Sequence, residues 1–147
     1  MVVISLLINE INLNEYYICR DMKDFKKYFI IPATQEEVYL ALTTEITIKL
    51  WTGAEASMIA EPNTEFSLWE DSIVGKNLEF ERNKRIVQQW YFGENNDASI
   101  VTIKLHAHKQ GTSVELIHQN IPDEDFENIT DGWINDYFGA LIDFYSE

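Results

Sequence analysis

The chain is short of several things, and each shortage excludes something. It has one cysteine, Cys19, in 147 residues, so no internal disulfide can form. A lone thiol fits a reducing compartment, and a cytoplasmic protein is expected. Cations are scarce: 11 Lys and Arg stand against 25 Asp and Glu, a formal net charge of -14. Nucleic-acid binding needs cations that neutralise phosphates, and this surface would repel them. Anionic membranes are disfavoured on the same ground. No apolar run approaches the ~20 residues of a membrane span. Residues 1–8 are apolar but have neither a preceding basic residue nor a following small-residue cleavage site, so they do not read as a signal peptide. Phosphate loop, dinucleotide fingerprint and paired-histidine zinc helix are all missing, and neither cofactor nor metal is expected. What remains open is a neutral ligand or a basic protein surface.

The length suits one domain, which can bury roughly 70% of its unfolded surface and needs no staples. Residues 1–21 mix apolar side chains with Asn and Glu without a clean period, and Met22 opens a regular pattern. Residues 1–21 are therefore expected to be an upstream extension or mis-called start, with the domain over 22–147. An extra strand or helix packed outside is the alternative. Cys19 lies in that stretch without an adjacent histidine, so a catalytic thiol is not expected.

A first strand is expected over residues 25–31, ended by Pro32. Thr34 followed by Glu37 is a capping box that starts a helix running to about Leu42. A second short helix covers residues 45–51, with Gly53 as its left-handed stop. Strands follow. Phe66 and Leu68 share one face of the next. Val74, Lys76, Leu78 and Phe80 share the inward face of another, leaving Asn77, Glu79 and Glu81 outside. A strand over residues 85–92 follows the Asn83-Lys84 turn. Val101, Ile103 and Leu105 point inward from residues 99–108, and after the Gln110-Gly111 turn so do Val114, Leu116 and His118. Pro122 ends that strand. Four acids at residues 123–127 crowd the start of a last helix, where the dipole favours anions. Its apolar stripe is Trp133, Tyr137, Leu141 and Phe144, with Ile134 and Phe138 beside it.

The inward residues Phe66, Leu68, Leu78, Phe80, Trp90, Ile103, Leu105, Leu116 and His118 converge with Trp133, Tyr137 and Leu141 on one volume. It is either a filled core or an apolar pocket for a small molecule. An empty void of about 300 Å³ would cost about 7 kcal/mol. That is comparable with the whole stability of a domain, about 5–15 kcal/mol. A large pocket therefore needs an occupant or water. His118 and the Tyr137 hydroxyl are the candidate polar handles, and His118 is either a pocket base or a satisfied strand-end histidine. His106 and His108 face outward beside Lys104 and make a poor metal site. Glu79 and Glu81 share a face with Asn77 and read as solvated rather than catalytic. Asn128-Ile129-Thr130 matches a glycosylation sequon that has no meaning in a cytoplasmic chain.

Strand, two short helices, consecutive antiparallel strands and a long helix is the helix-grip order. The residues that carry a resemblance begin with Ile31-Pro32-Ala33, Glu37-Val38-Tyr39, Leu42-Thr43 and Trp51-Thr52-Gly53. They continue with Phe66-Ser67-Leu68, Ile73-Val74-Gly75, the run Arg85 through Trp90, Gly111-Thr112, His118, Ile121-Pro122 and Gly132-Trp133. Together they resemble the AHSA-type family, homologues of the activator of the ninety-kilodalton heat-shock protein ATPase, in the START-like (SRPBCC, Bet v-like) superfamily. The resemblance implies an α+β fold: a curved antiparallel sheet of about six or seven strands around a long C-terminal helix. START-like folds serve lipid binding, hormone binding, cyclisation and hydrolysis alike, so the fold does not decide among these. The reading taken from the converging faces is non-catalytic binding of a small hydrophobic or amphipathic ligand in a cavity between sheet and helix. One alternative is a co-chaperone-like module that meets a chaperone or other basic surface through the Glu70-Asp71 and 123–125 turns. Another is an enzyme using His118. Where the family often has glycine, this chain has Asn63-Thr64 and Asp71-Ser72, so looser or longer turns are expected there.

Overall fold

In the computed structural model, which describes residues 22–93 and 95–146, the apolar–polar alternation becomes six strands. These are β1 (Met22–Ile31), β2 (Glu65–Leu68), β3 (Ile73–Glu81), β4 (Arg85–Phe92), β5 (Asn95–His108) and β6 (Gly111–Pro122). The extension expected over residues 1–21, with Cys19, lies outside the described residues. All neighbours are antiparallel, in the order β1-β6-β5-β4-β3-β2. β2 through β6 form a meander, and β1 returns to pair with β6. Lys23, Lys26 and Lys27 line the β1 edge, where charge discourages pairing with other chains.

Two short helices follow β1: α1 (Gln35–Thr43) and α2 (Glu45–Thr52). The expected capping box is complete. The Glu37 amide donates to Thr34 Oγ1 at 3.1 Å, and the Thr34 amide donates to Glu37 Oε1 at 2.9 Å. Gly53 ends α2 at φ 70°, as expected. Neither helix is long enough to stand alone. Gln35 pins α1 to the sheet by donating to the carbonyls of Asn83 and Leu105, and the Trp51 indole donates to the Ala41 carbonyl.

β3 departs from the expected alternation. Asn77 pairs with Gln88 but Glu79 pairs with Val87, so Leu78 is an extra residue in a β-bulge. The bulge exchanges the two faces. Before it, Gly75 and Asn77 are buried on the concave side; after it, Phe80 packs against the core opposite Ile86. Asn77, expected outside, is therefore fully buried, while Val74, Lys76 and Leu78, expected inside, are half-buried and lie outside the core. Glu79 and Glu81 are exposed, as expected. In the turns that lack glycine, other residues supply the left-handed conformation. Asn63 (φ 66°) and Asp71 (φ 72°) take left-handed conformations themselves. In the β2–β3 turn, Trp69 and Glu70 also have positive φ, and the Ser72 amide closes the turn on the Trp69 carbonyl.

The C-terminal helix is α3 (Phe126–Asp131), a π-helical stretch (Gly132–Tyr137) and α4 (Phe138–Tyr145), entered through a 3-10 turn at Asp123–Asp125. In α-helical geometry Trp133 and Phe138, five apart, would diverge. The π stretch, in which the Phe138 amide donates to the Trp133 carbonyl, stacks one over the other with ring centroids 5.7 Å apart. Trp133, Tyr137, Phe138 and Leu141 are all buried by this one irregularity. Ile134 and Phe144, read as part of the apolar stripe, are instead partly exposed at 38% and 37%. A Cβ at Gly139 would lie 2.6 Å from the Ile134 carbonyl oxygen, so the π stretch demands glycine there. At Gly132 a Cβ would meet nothing closer than 4.0 Å. Gly132→Ala should therefore stabilise the protein by about 0.5–1 kcal/mol. Gly139→Ala should destabilise it by about 1–2 kcal/mol despite the same gain in helix propensity. Urea unfolding of the pair checks this; equal effects would contradict a required glycine at 139.

Candidate functional site

The concave face carries polar side chains that the alternation conceals. Thr112 donates to the Ala33 carbonyl at 2.7 Å, while Asn77, Gln88, Ser99 and His118 are held in two buried chains of hydrogen bonds, each ending on a tryptophan. In the first, the Trp90 indole donates to Gln88 Oε1 (3.1 Å) and Gln88 Nε2 donates to Asn77 Oδ1 (3.0 Å). Asn77 Nδ2 then lies 3.1 Å from both the Ile59 carbonyl and Thr64 Oγ1. The bulge at Leu78 makes this chain possible, because it turns Asn77 inward.

In the second chain the Trp133 indole donates to His118 Nδ1 at 3.0 Å. An indole nitrogen has no acceptor capacity, so Nδ1 must be the unprotonated nitrogen. Nε2 then carries the proton and donates to Ser99 Oγ at 3.0 Å, and the Ser99 hydroxyl donates to the Gln119 carbonyl at 3.3 Å. Serine beside histidine suggests a nucleophile and its base, but the polarity is reversed: the imidazole gives a proton to the hydroxyl instead of accepting one. His118 is fully buried, and loss of solvation lowers its pKa from the usual 6.5 to about 3. It fastens β6 to the C-terminal helix and has no nitrogen left for a substrate.

The rings above these chains pack between sheet and helix. Trp133 stacks on Trp90 at 4.7 Å, and Phe29 stacks on Phe138 at 4.6 Å. Tyr137 lies 4.6 Å from Trp133 and 5.2 Å from Trp51. Phe66, Leu68, Ile103, Leu105, Leu116 and Leu141 are buried in the same cluster, with Phe80 packed at its margin. Leu78 stands apart from it, as described above.

Open space lies to one side instead. A groove of about 660 Å³ runs between the C-terminal helix and the β2–β3 turn. Of the residues expected around a pocket, Trp90, Trp133 and Tyr137 line it, and these buried rings form its floor. Trp69 and Ile73 wall one side; Ile129, Gly132, Asp136, Ala140 and Asp143 wall the other. A smaller adjoining hollow of about 440 Å³ shares Ser72, Ile73, Trp90 and Ile129. Sequence reasoning missed both walls. The helix wall was readable, since residues 129, 132, 136, 140 and 143 recur every three or four positions beside the apolar stripe. Trp69 was not, because alternation places it opposite Phe66 and Leu68; positive φ turns it toward Tyr137, 5.9 Å away. The Tyr137 hydroxyl has no hydrogen-bond partner among the described residues, and burial raises its pKa. It is one polar group available to an occupant; Thr52, Ser72, Asn128, Asn135, Asp136 and Asp143 also line the groove.

His118 gives the protein a specific response to acid. The unfolded chain takes up a proton near pH 6.5, but the folded chain resists until about pH 3. Stability from this residue is complete above about pH 6.5 and falls as pH drops through the window, by about 1.4 kcal/mol per unit. Between pH 7 and pH 4.5 the protein should lose about 2–3 kcal/mol more than His118→Gln, in which the carboxylates titrate alike. Denaturant unfolding at both pH values measures this, and parallel losses would contradict a buried, neutral imidazole.

Comparison with known proteins places the fold among relatives. The human activator of 90 kDa heat shock protein ATPase homolog 1 is 27% identical over 108 residues, covering 72% of this chain and 32% of that protein. The chain spans about a third of the length of the curated relatives it matches. The crystal structure of an HSP90 activator from Plasmodium falciparum has a TM-score of 0.72 at 24% identity, over 82% of this chain and 93% of that one. The solution structure of the Aha1 dimer from Colwellia psychrerythraea has a TM-score of 0.73 at 19% identity, over 84% and 96%. Both show the helix-grip architecture. The family model described as Activator of Hsp90 ATPase homolog 1-like protein matches residues 32–141, and this chain belongs to that family.

Proposed function

We propose that this domain binds a small apolar or amphipathic molecule, without transforming it, in the groove beside the C-terminal helix. The observation that carries the reading is the groove itself. Its volume of about 660 Å³ falls in the range of roughly 300–1,000 Å³ that suits small ligands. Its floor is aromatic, and both floor indoles spend their N–H groups inward, on Gln88 and His118. The ring faces and edges left toward the groove are apolar. The Tyr137 hydroxyl supplies a polar contact that can orient the ligand. An enzymatic reading through His118 is disfavoured by its depressed basicity and its two occupied nitrogens.

Gly132 offers a direct test, because it lines the groove and has open space where a Cβ would stand. Gly132→Leu should fill part of the groove while the fold survives. Native mass spectrometry should detect a copurified small-molecule adduct on the parent protein and lose most of it on this variant. An adduct held equally by both would place the ligand elsewhere.

A second reading is favoured by the human relative, whose name describes activation of a heat-shock protein ATPase. Glu70, Asp71, Asp123 and Glu124 are exposed in two turns and could meet a basic surface on a chaperone. Stimulation of a chaperone ATPase by this protein should then weaken as salt rises. No stimulation, or stimulation indifferent to salt, would count against it.

A further inference from the structure

The charged residues around the groove share one sign. Asp136 and Asp143 line the helix side of the larger groove, and Glu124 and Asp125 line the adjoining hollow. Among the described residues, no Lys, Arg or His lines either. Among the described residues, none of these four carboxylates is in an ion pair, although Lys23 engages the neighbouring Asp123. Asp136 and Asp143 are seven residues apart, about two turns or ~10 Å along the helix, so they flank the groove rather than crowd one spot. The aromatic lining adds to the field. Half-buried Trp69 borders the groove beside the buried rings of Trp90, Trp133 and Tyr137, and an accessible aromatic face attracts cations. The net charge of -14 extends the same potential outward and would raise the local concentration of positive ligands.

We propose that the groove between the C-terminal helix and the β2–β3 turn selects an organic cation. Such a ligand has an apolar, preferably aromatic, body and an ammonium or amidinium head. This deepens the ligand-binding reading above and rests on it. The body lies on the Trp90–Trp133 floor, and the head sits at the rim between Asp136 and Asp143, within reach of the Tyr137 hydroxyl. A fatty acid or other anionic amphiphile of the same size would meet only like charge at that rim. Selection by charge follows from the rim, and affinity for the body follows from the floor.

The test uses three probes with one naphthyl body: naphthylmethylammonium, naphthylmethanol and naphthylacetate. Each is titrated into the full-length protein at low salt, following tryptophan fluorescence. The cation should bind roughly tenfold or more tightly than the anion, with the alcohol between them. High salt should shrink that difference. The double variant Asp136→Asn, Asp143→Asn alters two exposed side chains and should keep the parent circular dichroism. It should bring the three affinities to within about threefold, by losing affinity for the cation and gaining it for the anion. Equal binding of all three probes to the parent protein would overturn the charge inference and leave the ligand reading standing. Binding of none would overturn both. A cation preference that survives the double variant would show that Asp136 and Asp143 do not set it.

Discussion

The contact between Trp133 and His118 is the constraint on which the rest depends. It joins the middle of the C-terminal helix to the next-to-edge strand β6, at 3.0 Å, inside the core. Burying a tryptophan contributes about 4–6 kcal/mol from area alone. Leaving its N–H unpaired there would return about 1–3 kcal/mol of that. The imidazole therefore has to stay neutral, with Nδ1 open as an acceptor, and its burial keeps it so. Ser99 fixes the tautomer from the far side. One hydrogen-bond chain thus sets the register of helix against sheet, and the stacking of Trp133 on Trp90 and Phe138 follows.

The same arrangement decides where an occupant could lie. An enclosed void between sheet and helix would be expensive, and the stacked rings pack there. The groove opens at the side, where solvent can fill it at little cost when no ligand is present. The π stretch and the β2–β3 turn shape it from opposite sides. Both are locally unfavourable conformations, one requiring Gly139 and the other holding Trp69, Glu70 and Asp71 at positive φ. Local conformational cost concentrated around a hollow is a common mark of a binding region.

Much of the fold was legible because its signals are local. Thr34 and Glu37 announce a helix start, Gly53 a helix stop, and the alternation of Val101, Ile103 and Leu105 a half-buried strand. The family resemblance was carried by many short matches in order. What was not legible depends on partners distant in sequence. Nothing around Leu78 marks a bulge; it exists because Asn77 must reach Gln88 and the backbone near Ile59. The π stretch arises because Trp133, Tyr137 and Phe138 all find room in the core, which helical periodicity alone cannot express. Of the candidate site, the aromatic floor was readable from spacing, whereas the wall at Trp69 depends on a left-handed turn built without glycine.

The central claim is that the interior is closed and the lateral groove is the place of binding. Amide chemical-shift mapping of the isotopically labelled protein with a naphthyl ligand tests it most directly. The account predicts shifts at Ser72, Ile73, Ile129, Gly132 and Ala140, with the indole N–H signals of Trp90 and Trp133 still in slow solvent exchange. Shifts centred on Phe66, Ile103 and Leu116, with those indole protons released, would show a ligand inside the sheet–helix interior and contradict it.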